Sequence, residues 1–180
     1  MRELEVKILN MDLNDLESRI QGLGATLTSK EVQVNTLIDS KDNFIQNKLD
    51  SYMRIRETKS LLTDKVNFTL TMKKNIEREG IRENIEINTD IDDKASMLEI
   101  LKTLGYEVFK EGYKERTSYI LGNIRFDLDK WDKETYPYPY MEIEVKVEDE
   151  LEDMIKLLNI PRENISTKSI VQLAEELNKQ

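Results

Sequence analysis

The chain has 180 residues, of which 35% are Asp, Glu, Lys or Arg and 38% hydrophobic, and its formal net charge is -9. It contains no cysteine and no histidine, which excludes a disulfide framework, a thiolate nucleophile, a Cys/His zinc site and a histidine base. A bound metal must then be a hard, oxygen-liganded ion, with Mg²⁺ or Mn²⁺ leading.

The acidic balance opposes generic binding to nucleic acid or an anionic membrane. No apolar run approaches the length that crosses a bilayer. Arg2 and Glu3 stand where a secretory signal would begin, so a cytoplasmic protein is expected. At this length one domain over residues 1–180 is expected, closing with packing helices at about 148–178.

In chain order, Arg2 to Ile8 alternates as a strand, with Glu3, Glu5 and Lys7 on one face and Leu4, Val6 and Ile8 on the other. Asp12 and Gly24 bracket a predicted helix over 12–23. An extended segment follows from about Leu27 to Ile38, with turn-like residues at Ser40 to Asn43 and Asn47 to Asp50. Further alternating strands are predicted at Tyr52 to Glu57, Val66 to Lys74 and Arg82 to Asn88. A helix over about 92–104 ends at Gly105 and precedes strands at about 107–121, 124–130 and 138–147. Two last helices, near 148–158 and 167–177, are separated by Pro161. Glu5 and Glu86 are 81 positions apart, as are Gly24 and Gly105, so the chain reads as two similar halves of one sheet.

The polar strand faces carry carboxylate pairs on some strands and arginine pairs on others. The acidic set is Glu3, Glu5, Glu86, Asp127, Asp129, Glu142 and Glu144. The basic set is Lys7, Arg54, Arg56, Lys73, Arg82, Lys114, Arg116, Arg125 and Lys146. An open sheet facing water would explain the alternation but not this segregation of sign. A closed barrel with its charges inward explains both, because clustered arginines are relieved by a polyphosphate and clustered carboxylates by a metal between them and that anion.

The order of motifs adds a resemblance. Glu3-x-Glu5-x-Lys7, then "VNTLIDSKDNFIQNKLDSYMRIRE", "FTLTMKK", "RENIEI", "YKERTSY" and "DLDKWDKETYPYPYMEIEV", resemble in sequence the motifs of the CYTH superfamily, the triphosphate tunnel metalloenzymes, over nearly all of residues 1 to about 150. The resemblance implies an α+β fold: an eight-stranded antiparallel β-barrel forming a tunnel, flanked by helices. It implies that Glu3, Glu5, Asp129, Glu142 and Glu144 hold Mg²⁺ or Mn²⁺, and that Lys7, Arg54, Arg56, Lys73, Arg82, Lys114 and Arg116 hold phosphates. Glu86 matches the second acidic position of an Arg-x-Glu-x-Glu strand, and Asn84 replaces the first. Lys73 and Glu86 are the candidates for orienting a water.

The implied partner is a triphosphate-bearing molecule: ATP, thiamine triphosphate, tripolyphosphate or, among nucleic acids, a 5′-triphosphate end. The implied reaction is metal-dependent triphosphate hydrolysis. The alternatives are a class IV adenylate cyclase and a non-catalytic polyphosphate-binding module, and a homodimer is compatible with the exposed edges. Trp131, Tyr136, Tyr138 and Tyr140 read as a packed rim shaped by Pro137 and Pro139, and Tyr113 and Tyr119 as core or barrel-wall residues.

Overall fold

The computed structural model describes the backbone of residues 2–78 and 81–177 and the side chains of 4–74 and 84–177. Its strands are β1 (Arg2–Ile8), β2 (Thr26–Ser40), β3 (Ser51–Ser60), β4 (Val66–Arg78), β5 (Ile81–Ile91), β6 (Tyr106–Leu121), β7 (Ile124–Trp131), β8 (Tyr140–Val145) and a two-residue β9 (Ile165–Ser166). The helices are α1 (Leu13–Gly22), α2 (Phe44–Leu49), α3 (Lys94–Thr103), α4 (Glu148–Leu157) and α5 (Ile170–Leu177).

All neighbouring strands pair antiparallel in the order β5-β4-β3-β2-β6-β7-β8-β1-β9, and β5 also pairs with β1. That last pairing, Arg2 to Ile85 through Glu5 to Arg82, closes eight strands into a ring. Beyond it, at Lys7 and Ile8, β1 pairs with β9 instead. The expected α+β barrel with flanking helices is therefore the fold.

Because side chains alternate on each strand, closing the ring assigns one face inward and the other outward. The outward residues Val6, Ile8, Phe126, Met141, Ile143 and Val145 are buried under α1 and α4, whose Leu16, Ile20, Leu151, Met154 and Ile155 complete one core. A second, smaller core joins Ile38 and Ile55 to Leu101 of α3. A third places Leu173 of α5 against Tyr136 and Tyr140 at one end of the ring.

The repeat is visible in the helices. Residues 13–22 of α1 and 94–103 of α3 are 81 positions apart, and each helix is capped by an aspartate, Asp12 or Asp93, accepting two backbone N–H bonds. Each then stops at a glycine in left-handed backbone, Gly24 at φ 90° and Gly105 at φ 92°.

Three predicted boundaries move for local reasons. The six-residue α2 follows the first expected turn and takes in most of the second, where Asp39 accepts from the N–H groups of Ile45 and Gln46 at 2.9 and 3.0 Å. With Ile45 its only buried residue, it leaves no periodicity to read. β8 is shorter than expected, running from the residue after Pro139 to Val145, with Val147 capping α4. α5 begins after Ser169, whose hydroxyl accepts from Gln172 N–H while its own N–H donates to the Gln172 side chain.

Two truncations test the placement of the core. Ile143→Ala, at a fully buried position under α1 and α4, is expected to cost about 2–5 kcal/mol. Leu104→Ala, at a position 68% exposed, should stay within about 0.5 kcal/mol. Urea denaturation midpoints of the two variants decide it, and equal shifts would contradict the assignment.

Candidate active site

The pairing register carries one face around the ring. Glu5 lies directly opposite Glu144, and Glu144 opposite Arg125; Lys7 lies opposite Glu142, and Glu142 opposite Asp127. β6 adds Lys114 and Arg116, β3 adds Arg54 and Arg56, β4 adds Lys73 and β5 adds Asn84 and Glu86. These side chains converge on a cavity of about 190 Å³. Its lining includes seven cations, Lys7, Arg54, Arg56, Lys73, Lys114, Arg116 and Arg125, and five carboxylates, Glu5, Glu86, Asp127, Glu142 and Glu144.

The charges neutralise one another across strands. Lys7 Nζ is 3.1 Å from Glu142, and Lys73 Nζ is 3.2 Å from Glu86 and 3.7 Å from Glu5. Arg116 donates to Asp129 and Glu142 and lies 2.6 Å from Asp127. Arg125 donates to Asp127 at 2.9 Å, and the Ser118 hydroxyl donates to the same carboxylate at 2.6 Å. Arg56 differs: its Nε donates to the neutral amide oxygen of Asn35 at 3.1 Å. Among the described residues no carboxylate lies within ion-pair distance of it.

The protonation states follow from these surroundings. Burial, with Arg54 and Arg116 nearby, lowers the Arg56 guanidinium to about 9, still charged near neutrality. Burial and Arg116 bring the Lys114 ammonium down to about 7 against the pull of Asp129. For Glu86, burial alone would raise the carboxyl, but Lys73 and Arg54 outweigh it and hold it at about 2. For Glu142 the same opposition of burial is overcome by Lys7, Arg116 and Lys114, leaving it well below the usual carboxylate range.

The expected phosphate-binding residues Lys7, Arg54, Arg56, Lys73, Lys114 and Arg116 all line the cavity, as do Glu5, Glu86, Glu142 and Glu144. Asp129, expected among the metal ligands, is absent from the cavity lining. It is fully buried, and its two oxygens accept from Lys114, from Arg116 and from the Tyr140 hydroxyl, so it anchors two of the cations that line the cavity. The side chains of Glu3 and Arg82 lie outside the described residues; their backbones pair in the closing seam.

Asn84 is wholly buried, and its amide donates to Glu5 at 3.1 Å. The residue at the usually acidic position thus orients an acidic neighbour. Trp131 and Tyr140 are expected in a packed rim. Both do pack, with Trp131 Nε1 donating to the Tyr140 hydroxyl at 2.9 Å, yet both line the cavity too. The signal was available in the alternation: Arg125, Asp127, Asp129 and Trp131 share one face of β7.

As metal donors the carboxylates are of the right kind, oxygen-only and suited to a hard cation. Glu5 and Glu144 sit in register, and like charges directly opposite one another are unfavourable without something between them. Among the described residues, no three acidic side chains form a ready metal-holding group, because most of the lining carboxylates face a lysine or arginine.

A CYTH domain model matches residues 1–171. The chain belongs to the CYTH family. One CYTH relative, from Methanocaldococcus jannaschii and described as "Putative adenylate cyclase", is 28% identical, with 96% of this chain and 98% of the relative covered. Solved structures of similar fold include the PH1012 protein of Pyrococcus horikoshii, with a TM-score of 0.77, 24% identity and 95% and 98% of the two chains covered. Another is a Hippeastrum protein described as a "putative adenylyl cyclase" with a dominant triphosphatase activity, with a TM-score of 0.70, 16% identity and 97% and 95% covered. Among the described residues no helix is long and apolar enough to cross a membrane.

The anchoring role of Asp129 predicts that Asp129→Asn leaves Lys114 and Arg116 underpaired in a dry site. Removing one partner of such a buried pair costs roughly 3–5 kcal/mol. Denaturant unfolding should show a loss of that size, and a loss below about 1 kcal/mol would contradict the anchor.

Proposed function

We propose that this CYTH protein is a divalent-metal-dependent triphosphatase that binds the phosphate chain inside its barrel. The observation that carries the reading is the lumen itself, where seven cations and five carboxylates share one enclosed face. A bare anion would meet the carboxylates and a bare metal would meet the cations. A metal-complexed polyphosphate satisfies both.

Glu5 and Glu144 are the residues that would hold Mg²⁺ or Mn²⁺, with Glu142 reaching the site once Lys7 turns to phosphate. The ion supplies charge neutralisation at the phosphate oxygens. Arg54, Arg56, Lys114 and Arg116 bind the phosphate chain and stabilise charge gathering on the leaving group, the largest contribution expected where the chemistry is chiefly positioning. Glu86, ionised and held by Lys73 and Arg54, suits orientation of the attacking water through a hydrogen bond better than removal of its proton. Water attacks the terminal phosphorus, the bridging P–O bond breaks, and orthophosphate and the shortened phosphate leave.

The dominant triphosphatase activity of the Hippeastrum protein supports this reading at the level of shared fold. The description of the Methanocaldococcus relative favours a second one, in which the ribose 3′-hydroxyl of ATP attacks in place of water and pyrophosphate leaves. The same lumen serves either, since the two differ in which oxygen is held in line with which phosphorus.

Glu5→Gln and Glu144→Gln are each expected to lower Mg²⁺- or Mn²⁺-dependent turnover by about 10²-fold or more with the melting temperature little changed. Full turnover in either would remove the metal role. With ATP, the reading predicts orthophosphate release, whereas cyclic AMP with pyrophosphate selects the cyclase. The lowered Lys114 gives a pH test. A value of about 7 would leave mostly the neutral amine at pH 8 in the unliganded protein, and bound phosphate favours the charged form. Tripolyphosphate binding at pH 8 should therefore take up a proton, seen as a buffer-dependent heat in calorimetry, and Lys114→Arg should abolish that dependence.

A further inference from the structure

Among the described residues, each cation lining the lumen except Arg56 has a carboxylate within ion-pair distance, as Lys7 has Glu142 at 3.1 Å and Arg54 has Glu86 at 3.5 Å. Directly opposite Arg56, on β2, stands Asn35. Its amide oxygen accepts from Arg56 Nε at 3.1 Å, and among the described residues no other Arg56 nitrogen is hydrogen-bonded. A guanidinium held by Nε keeps its two terminal nitrogens, the flat fork that grips a phosphate, for another partner.

The same contact leaves a donor unmet. Because a guanidinium can only donate, the oxygen of Asn35 must face it, and Nδ2 is then buried with no hydrogen-bond partner. On its other side Asn35 faces Gly112 of β6, which has no side chain to offer. Asn35 is 3% exposed, and a buried donor without an acceptor is destabilising. An aspartate of the same shape would carry no orphan N–H and would give the buried guanidinium an opposite charge, so on stability alone it is the better fit. Aspartate could not, however, leave Arg56 uncompensated. The lumen holds a second case of the same device, since Asn84, wholly buried on β5, donates to Glu5 at 3.1 Å and so holds an ionic residue through a neutral amide.

We infer that Asn35 is a positioning residue for the phosphate chain: it fixes the Arg56 guanidinium without neutralising it, which reserves that cation for the anion. The inference rests on the triphosphate reading above and adds to it a residue that does not itself line the charged cavity. Lys7 and Arg116 must each give up a carboxylate before a phosphate takes its place. The terminal nitrogens of Arg56 give up nothing.

The test sets calorimetry of Mg²⁺-tripolyphosphate binding beside thermal unfolding of the unliganded chain, for the wild type, Asn35→Asp, Asn35→Ala, Arg56→Ala and the double variant of the two alanine substitutions. Asn35→Asp should raise the melting temperature by about 2–4 °C while weakening tripolyphosphate binding about tenfold or more. An asparagine that serves the fold alone would not move the two in opposite senses. Asn35→Ala, which releases the guanidinium, should weaken binding without raising the melting temperature. Added to Arg56→Ala it should weaken binding no further, because it acts through that guanidinium. Unchanged affinity in either Asn35 variant, a lowered melting temperature in Asn35→Asp, or an undiminished effect of Asn35→Ala on the Arg56→Ala background would overturn the role of Asn35 while leaving the lumen reading standing. A wild type that binds no tripolyphosphate would remove the lumen reading and this one with it.

Discussion

Charged side chains on the inner face of a closed ring must find their partners there, chiefly among one another, and this constraint shapes the rest of the molecule. Seven cations and five carboxylates line a cavity of about 190 Å³, a space in which an isolated ion would bear several kcal/mol of desolvation cost. The structure tolerates them by pairing across strands, with Lys7 on Glu142, Lys73 on Glu86, and Arg116 shared between Asp127, Asp129 and Glu142. Such pairs add little net stability. On the proposed reading their consequence is functional, since phosphate would take cations such as Lys7 and metal would take carboxylates such as Glu142. Stability comes from the outward faces, where Val6, Ile8, Phe126, Met141 and Ile143 pack under α1 and α4.

Within the lumen the pairs are not equivalent. Asp129 is saturated and buried behind Lys114 and Arg116, fixing two cations in place before any ligand binds. Arg56 donates to a neutral amide, lies near Arg54 and Arg116, and among the described residues has no carboxylate within ion-pair distance. Asn84 holds Glu5 from a position where a carboxylate would have repelled it. On the proposed reading, one side of the lumen would hold phosphate and the seam side metal. Exchange of partners would couple the two, because a metal occupying Glu5, Glu142 and Glu144 would leave Lys7 and Arg116 for the phosphates.

Much of this was legible in the amino-acid sequence, since a period of two is unambiguous where apolar and ionic residues alternate, as in β1, β3 and β8. Apolar spacing and the terminal glycines Gly24 and Gly105 located α1 and α3, and the repeat of 81 positions related them. What escaped has physical reasons. α2 is a single short turn held by the Asp39 side chain from outside the helix, and β9 is two residues whose only signal is proximity to the end of β1. Asp129 lies on the same face as Asp127, and only three-dimensional packing shows that its oxygens are already taken. Trp131 and Tyr140 do two jobs, packing beneath α5 and walling the cavity, which hydrophobicity alone cannot separate.

The central claim is that metal and polyphosphate enter together because each frees the residues the other needs. Thermal unfolding with Mg²⁺ alone, tripolyphosphate alone and both together tests it directly, since a ligand that binds only the folded chain raises its melting temperature. The account predicts a rise with both that exceeds the sum of the two separate rises in the wild type and falls to that sum in Glu5→Gln. Additive shifts in the wild type, or none, would contradict it.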